Sequence, residues 1–219
     1  MFLRNFGIND FLFLLDALQW TLILAVLALV GGGLVGFLVA LARTARTRAL
    51  RIAAAVYIQV VQGIPVLMIL FLSYYGLSMA GYRLPPLIAA ALSMTIYVSG
   101  YLGEIWRGCI QAVPKPQWES GESLALTLPQ QYLYIILPQA IRISLPPTVG
   151  FAVQVVKNTS ICALIGFVEL TRAGQLINNS TFQPFKVFLT VAALYFVICY
   201  PMSQLSRWLE RRLHAGSRH

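Results

Sequence analysis

The chain has 219 residues, of which 58% are hydrophobic and only 11% are charged, and its formal net charge is +9. Soluble domains carry roughly 25% charged residues, so this composition excludes an ordinary soluble domain and indicates an integral membrane protein. The basic excess is expected from Lys and Arg in cytoplasmic loops. Nucleic-acid binding is not expected, because no basic stripe with interleaved aromatic residues lies outside the apolar runs.

Few residues suit metal binding or catalysis. The cysteines Cys109, Cys162 and Cys199 are scattered without metal-ligand spacing, so we predict no metal site and expect them to pack as small apolar residues. No HExxH motif and no pair of intramembrane aspartates occurs, which disfavours an intramembrane enzyme. A phosphate-binding GxxxxGKS or GxxxxGKT motif is also absent from the sequence, so we predict no catalytic residue, no cofactor and no ATP hydrolysis in this chain.

Apolar runs along the chain are long enough to cross a bilayer, which takes about 20 residues as a helix. The first run contains GGGLVG (31–36), small residues that let another helix approach closely. The second is interrupted by QVVQGIP (59–65), which either breaks the span beside a cavity or produces a packing kink. We predict an all-α transmembrane bundle, one domain over residues 1–219, with five spans at about 17–42, 52–80, 84–106, 139–165 and 186–207.

Basic residues predict the orientation of the bundle. They cluster after the first span and in the C-terminal tail, whereas the link after the second span has only Arg83. By the positive-inside rule the N-terminus is outside and the C-terminus is cytoplasmic, so the segment 104–138 lies in the cytoplasm. The clusters are Arg43, Arg46, Arg48 and Arg51 in the link, and Arg207, Arg211, Arg212 and Arg218 in the tail.

A charged segment, VPKPQWESGESLALTLPQQYLYIILP (113–138), separates the third and fourth spans. QWESGESLAL is long enough for about three helical turns with one half-apolar face that includes Trp118. TLPQ predicts a new helix start, with Thr127 as N-cap and Gln130 at N3 in a capping box. Two interpretations stay open for the first helix: it docks in the groove of a partner protein, or it lies on the bilayer surface.

This segment resembles the cytoplasmic EAA loop of the permease subunits of ABC importers. That pattern reads Glu-Ala-Ala, three residues, Gly, nine residues, then Ile-x-Leu-Pro, and the segment keeps its spacing. The departures are Ser120 and Gly121 at the two alanines, and Ala125 at the glycine. The matching positions are Glu119-Ser120-Gly121, Ala125, Ile135, Leu137 and Pro138.

The resemblance covers roughly residues 15–213 and is to the polar amino acid branch of that permease family. It is carried also by VQGIPVLMILFLSYYGL, YLGEIWRGCIQAVPKPQWE, YIILPQAIRISLPP, VVKNTSICALIGFVELTRAGQLI and FVICYPMSQLSRWLERRL. It implies a multi-pass subunit of a bacterial inner-membrane importer for a polar amino acid, with a coupling loop at about 112–134. The implied ATPase-coupling residues are Gln117, Glu119, Ser120, Gly121, Ala125 and Leu126.

The same resemblance implies the partners. A second permease chain, identical or related, would complete the translocation pathway, and two ATP-binding cassette subunits would bind ATP and Mg²⁺ on the cytoplasmic face. A periplasmic or lipid-anchored binding protein would deliver the amino acid. A self-sufficient channel or secondary carrier is the alternative, but five spans are few for a carrier built from inverted repeats.

Ionisable residues inside a span are expensive and therefore mark candidate pathway positions. Lys157 is the leading one, because an ammonium there could hold the carboxylate of an amino acid; it could also reach the outer interface or pair with Glu104 or Glu169. Glu104 could instead receive an amino group or pair with Arg107. Glu169 and Arg172 are interpreted as a solvated pair in an outer loop. The predicted pathway residues are Lys157, Asn158, Thr159, Ser160, Glu104 and Gln62.

Overall fold

The computed structural model describes residues 4–215, and every regular element in this range is a helix, which confirms the all-α prediction. Arg218 of the predicted basic tail lies outside this range. Within this range four helices are long and apolar enough to span a membrane, and the count of spans rises to five if α2 and α3 together form one broken span. The helices are α1 (Ile8–Thr44), α2 (Arg48–Gly63), α3 (Val66–Met79), α4 (Pro86–Gln111), α5 (Lys115–Ser123), α6 (Leu128–Ile165), α7 (Leu170–Thr181) and α8 (Pro184–Ala215).

Helix α1 is longer than the span predicted at 17–42. It has 37 residues and begins at Ile8, where the Asp10 carboxylate accepts a hydrogen bond of 2.9 Å from the Gly7 backbone N–H. Its length is roughly 55 Å at 1.5 Å per residue, well beyond the roughly 30 Å of a bilayer core. The extra turns come from INDFLFLLDA, which is apolar enough to continue the helix on the surface of α7.

Small residues bring α1 and α4 into close contact, as GGGLVG predicts. A Cβ atom at Gly32 would lie 2.4 Å from Val98 Cγ1. At Gly36 it would lie 3.1 Å from the Ser99 carbonyl oxygen and 3.2 Å from the Gly103 amide nitrogen. The backbones therefore meet without intervening side chains, the arrangement that close helix packing in membranes requires.

The chain breaks between α2 and α3, inside the QVVQGIP stretch. Ile64 and Pro65 are extended, with ψ of 132° and 137°, and the two helix axes differ by 100°. A residue before proline is pushed out of the helical region by the proline ring, which accounts for the conformation of Ile64. Of the two interpretations of this motif, the broken helix is the one that the structure contains.

Helix α6 is one continuous helical run of 38 residues, from Leu128 to Ile165. It includes a π-helical turn at Tyr132–Ile136 and ends in a 3₁₀ segment, Thr159–Ile165, which Gly166 terminates with φ of 83°. The run begins well before the span predicted at 139–165. Its first turns therefore lie inside the charged segment 113–138 itself.

Among residues 4–215, three apolar clusters hold the helices together. The largest joins α1, α2, α3, α4, α6 and α8 and includes Leu24, Leu70, Met94 and Val155. A second cluster joins α1, α7 and α8, and includes Leu14, Leu170 and Val187. The third lies at the end of the bundle that faces α5, and consists of Ala40, Ile110, Val113, Ile136 and Ala140.

The prediction of a solvated Glu169–Arg172 pair is wrong. Glu169 is fully buried at the start of α7, where its carboxylate accepts hydrogen bonds from the backbone N–H groups of Thr171 at 2.9 Å and Arg172 at 2.8 Å. The Tyr195 hydroxyl donates a third bond at 2.9 Å, and the Arg172 side chain instead donates to Gln175. Glu169 is an N-cap, and a carboxylate is favoured there because it satisfies helix N–H groups.

Burial raises the pKa of the Glu169 carboxyl above its ordinary value, although its hydrogen bonds oppose the rise. The protonated form thus stabilises the fold fully below the unfolded pKa of about 4.3, and this contribution is lost as pH rises through the folded pKa. We expect the melting temperature of the wild type in detergent to fall with rising pH across that window more steeply than that of Glu169→Gln. Equal slopes for the two proteins would contradict this.

Candidate functional site

Helix α5 presents a polar face to solvent at one end of the bundle. Of the residues predicted to couple to an ATPase, Gln117, Glu119, Ser120 and Ala125 are exposed and Leu126 is half-buried. Gly121 is buried and faces the bundle. The segment is therefore accessible to another protein over most of the predicted coupling residues.

The opposite face of α5 is attached to the transmembrane helices. The Trp118 ring packs edge-on against Tyr132 of α6 with centroids 5.3 Å apart, and the Tyr132 hydroxyl donates to the Thr44 carbonyl oxygen of α1 at 3.3 Å. The Gln117 side-chain oxygen accepts from Gln139 at 3.1 Å. Helix α5 is thus held against α6, and Tyr132 of α6 links this contact to α1.

Gly121 explains how α5 lies so close to α6. A Cβ atom there would lie 2.9 Å from Gln131 Cγ and 3.2 Å from Ile135 Cδ1. Gln131 is itself buried and donates to the Leu126 carbonyl oxygen at 3.1 Å. The glycine therefore serves packing rather than direct contact with a partner, which gives a physical reason for its presence where the EAA pattern has alanine.

Helix α5 ends in a Schellman motif. The Leu126 amide donates to the Gly121 carbonyl oxygen at 3.1 Å, and the Ala125 amide donates to that of Glu122 at 2.9 Å. Ala125 occupies the C′ position with φ of 54°, in the left-handed region where glycine is usually found. This is also the position at which the EAA pattern has glycine, so this chain keeps the turn with a less suitable residue.

Ala125→Gly is expected to stabilise the protein by about 1 kcal/mol, because the left-handed conformation costs an L-residue roughly 1–2 kcal/mol and glycine removes most of that. Thermal unfolding in detergent measures the change. Ala112→Gly is the matched control, since Ala112 has φ of −77° in the right-handed region, and this replacement should not stabilise. A lower melting temperature for Ala125→Gly would contradict the assignment of strain.

A second helix start follows the turn, as TLPQ predicts. The Gln130 side-chain oxygen accepts from the Thr127 amide at 2.9 Å and from the Thr127 hydroxyl at 2.8 Å. Pro129 lies in the first turn of α6, where its missing N–H has no helical partner to lose. The predicted capping box is confirmed, and it fixes the angle at which α6 leaves α5.

Among the predicted pathway residues, Glu104 pairs with Arg107 one turn along α4. The Glu104 carboxylate accepts from Arg107 Nε at 2.9 Å and from its Nη2 at 2.5 Å. The Glu104 side chain remains 34% exposed. The pairing interpretation is confirmed, and the carboxylate keeps an open side.

Gln62 lies at the end of α2 and reaches α4, where its Nε2 lies 3.5 Å from the Gly100 carbonyl oxygen. Beside this contact is an aromatic cluster that the sequence analysis missed. Tyr101 stacks on Phe151 of α6 at 5.4 Å between centroids, and Tyr97 lies 4.7 Å from Tyr101. The four-residue spacing of Tyr97 and Tyr101 is a signal that could have placed them on one helix face.

Lys157 lies in a separate groove, between α6 and α8. The groove has a volume of about 370 Å³ and is lined by Tyr195, Tyr200, Ser203 and Arg207 among others. Lys157 is exposed, and within residues 4–215 it makes no ion pair with Glu104 or Glu169. The groove is basic, with two cations and no carboxylate among its described lining residues.

The polar residues after Lys157 bond mainly within their own helix. The buried Thr159 hydroxyl donates to the Val156 carbonyl oxygen at 2.7 Å, and the Ser160 hydroxyl donates to that of Lys157 at 2.7 Å. The Asn158 side-chain oxygen accepts from Gln154 at 3.4 Å. The structure thus leaves the Lys157 ammonium as the group of this stretch that is most available to a ligand.

The chain matches the family model described as the inner membrane component of binding-protein-dependent transport systems over residues 32–215. It is 36% identical to the probable glutamine ABC transporter permease protein GlnM of Bacillus subtilis (strain 168), covering 94% of this chain and 95% of the relative. It is 32% identical to the L-cystine transport system permease protein TcyB of the same organism, covering 90% of this chain and 84% of the relative.

A solved structure described as an amino acid ABC transporter with histidines shares the fold. Its chain is 34% identical, the TM-score is 0.87, and the match covers 94% of this chain and 96% of that one. Inward-facing MetNI, a methionine ABC transporter, shows the same fold with a TM-score of 0.66 at 16% identity. The chain belongs to the family of inner membrane components of binding-protein-dependent transport systems and is a multi-pass permease subunit of that kind.

Proposed function

We propose that this chain is the transmembrane subunit of an ATP-driven importer for a polar amino acid. The observation that carries the proposal is the attachment of α5, which exposes Glu119 and Ser120 while Trp118 and Gln117 bind it to the transmembrane helices. The family membership supports import with a binding protein. The names of the relatives, which specify glutamine and L-cystine, support an amino acid as the substrate.

The partners follow from this assignment. Two ATP-binding cassette subunits, which bind ATP and Mg²⁺, would receive the exposed face of α5, and a second permease chain, identical or related, would complete the pathway. A periplasmic or lipid-anchored binding protein would deliver the amino acid to the opposite side. The basic residues at 43–51 and in the tail support an N-terminus outside and a C-terminus in the cytoplasm.

Coupling would proceed through a rigid path. Closure of the ATP-binding subunits moves α5, and the contacts of Trp118 and Gly121 transmit that displacement to the start of α6. The run of 38 residues from Leu128 to Ile165 is roughly 57 Å long at 1.5 Å per residue, so it carries the motion across the bilayer to Lys157. Alternating access then results from the movement of packed helices rather than from local unfolding.

Lys157 is the proposed contact for the substrate carboxylate. We expect Lys157→Ala to lower transport driven by the loaded binding protein about tenfold or more, because a hydrogen bond to a charged group contributes about 1.5–3 kcal/mol. Lys157→Arg should retain a larger share, since it keeps the charge. Uptake of labelled amino acid into proteoliposomes, with basal ATP hydrolysis as the check on assembly, measures the effect.

Lys186→Ala is the matched control for this experiment, because Lys186 is exposed at the start of α8 and lies outside the groove. It should leave uptake near the wild-type rate. If Lys157→Ala transports as fast as Lys186→Ala, this chain does not hold the carboxylate through Lys157, and the second permease chain becomes the place to search.

A further inference from the structure

A continuous apolar groove opens on the surface of the bundle beside α5. Its larger lobe has a volume of about 1040 Å³ and lies at the end of α1, while a second, inner lobe of about 540 Å³ extends between α1, α4 and α6 toward the middle of α1. Phe37, Ile110 and Leu137 line both lobes, which makes them one groove. It is open to the surroundings, since Leu34 is 69% exposed and Ile141 56% exposed.

The two lobes differ in chemistry. The inner lobe is lined almost entirely by apolar and small side chains, including Val30, Leu34 and Leu145. The lobe at the end of α1 adds three guanidinium groups, those of Arg43, Arg46 and Arg51. No Asp or Glu occurs among the described residues that line either lobe. The groove therefore combines a long apolar channel with a basic mouth.

Within the described part of the chain the Arg46 side chain makes no hydrogen bond, and Arg43 makes one, from Nη1 to the Arg51 carbonyl oxygen at 3.5 Å. Arg51 Nη1 is used by the chain itself, since it donates to the carbonyl oxygens of Ala45 at 3.0 Å and Arg46 at 2.8 Å. Arg43 Nε is buried and finds no hydrogen-bond partner in the described part of the chain. Glu104, a carboxylate near Arg43, is already held by both Arg107 bonds.

We propose that this groove binds an anionic phospholipid, with the phosphate at Arg43 and Arg46 and an acyl chain in the inner lobe. Charge complementarity favours an anionic headgroup, because Lys and Arg at the membrane surface attract acidic lipids. The apolar inner lobe favours a lipid over a free phosphate, because an acyl chain can fill the lobe and a free phosphate has no apolar part to place there. The lobe lies along membrane-spanning helices, so an acyl chain enters it directly from the bilayer.

The bound lipid would stabilise the contact between α5 and α6. Trp118 and Tyr132, the pair that attaches α5 to the bundle, also line the basic lobe. A headgroup held at Arg43 therefore lies against the contact through which α5 moves α6. We expect anionic lipid to raise substrate-stimulated ATP hydrolysis, and this part of the inference rests on the proposed function.

Binding is tested without reference to transport. The assembled complex is placed in nanodiscs with equal amounts of phosphatidylglycerol and phosphatidylcholine, released, and examined by native mass spectrometry. Wild type should retain phosphatidylglycerol over phosphatidylcholine about tenfold, and Arg43→Gln with Arg46→Gln should remove the preference. Arg43→Lys with Arg46→Lys should keep most of it, which separates lost charge from a damaged fold.

Arg211→Gln with Arg212→Gln is the matched control, because it removes the same charge from the same predicted side of the membrane but away from the groove. It should leave the preference unchanged. A preference that survives in the Arg43/Arg46 glutamine variant, or that free glycerol phosphate abolishes, would overturn the proposal. So would efficient cross-linking of Leu34→Cys to another protein chain, which would assign the groove to a protein interface.

Discussion

Glu119→Arg is expected to abolish the stimulation of ATP hydrolysis by the loaded binding protein, while the permease still folds and inserts. Glu119 is exposed on α5, and its carboxylate makes no hydrogen bond within the described part of the chain. The substitution therefore removes nothing from the fold but reverses a charge on the face proposed to meet the ATP-binding subunit. Truncating one partner of a close interfacial charge pair costs about 2–5 kcal/mol, so the loss of coupling should exceed tenfold.

The measurement is ATP hydrolysis by the reconstituted complex with and without loaded binding protein, together with the yield of ATP-binding subunit that co-purifies. Glu210→Arg is the matched control, since it makes the same charge change at an exposed position of α8. If Glu119→Arg and Glu210→Arg both retain full stimulation, α5 does not dock through this face. The alternative interpretation, that α5 lies on the bilayer surface, would then be favoured.

Gly32→Ala is expected to lower stability by about 1–3 kcal/mol, the usual penalty for overpacking a closely packed site. The added Cβ would lie 2.4 Å from Val98 Cγ1 and 3.1 Å from the Ser99 amide nitrogen, so α1 and α4 must separate. The side chain of Val98 is β-branched and cannot turn away easily. Gly32→Leu should prevent the packing altogether and abolish assembly.

Gly33→Ala provides an internal comparison one residue along the same helix. Its Cβ would lie 3.5 Å from Trp106 and 4.0 Å from Leu102, which is ordinary contact. Because alanine is a better helix former than glycine by up to about 1 kcal/mol, this variant should be neutral or stabilised. Thermal unfolding of both variants in detergent decides the matter, and equal melting temperatures would show that the α1–α4 contact is not limiting.

Much of the fold is encoded locally, and those parts could be predicted. Apolar runs give the spanning helices, Pro65 ends α2 because of its effect on the preceding residue, and Thr127 with Gln130 starts α6. The small residues of GGGLVG predict a close helix contact, although the sequence does not name α4 as the neighbour. Each of these features depends on residues within a few positions of one another.

Other features depend on contacts between distant segments, and these the sequence did not reveal. The sequence around Glu169 is typical of an exposed loop, but in the structure Tyr195 of α8 packs over Glu169 and donates a hydrogen bond to its carboxylate. From the sequence, Gly121 is expected only to weaken its helix. In the structure Gln131 and Ile135 of α6 pack against it and leave no room for a larger residue. Lys157 and Glu104 are both ionisable residues in spans, yet α6 turns Lys157 toward α8 and away from the Glu104–Arg107 pair.

The structure also changes the roles within the predicted coupling segment. Glu119 and Ser120 are exposed, as the proposed contact with an ATP-binding subunit requires, while Gly121 and Ala125 shape the helix and its end. Substitutions at the first two should therefore alter coupling with little effect on stability. Substitutions at the latter two should alter stability first.

We propose that this permease couples amino acid import to ATP hydrolysis through α5. The most direct test of this claim is ATP hydrolysis by the complex that co-purifies with the chain, reconstituted in nanodiscs, as binding protein loaded with each candidate amino acid is added in turn. We expect one amino acid to stimulate hydrolysis in wild type, and Glu119→Ala to lower that stimulation about tenfold. If no ATP-binding subunit co-purifies and no loaded binding protein has an effect, the claim is wrong, and a channel or secondary carrier becomes the leading interpretation.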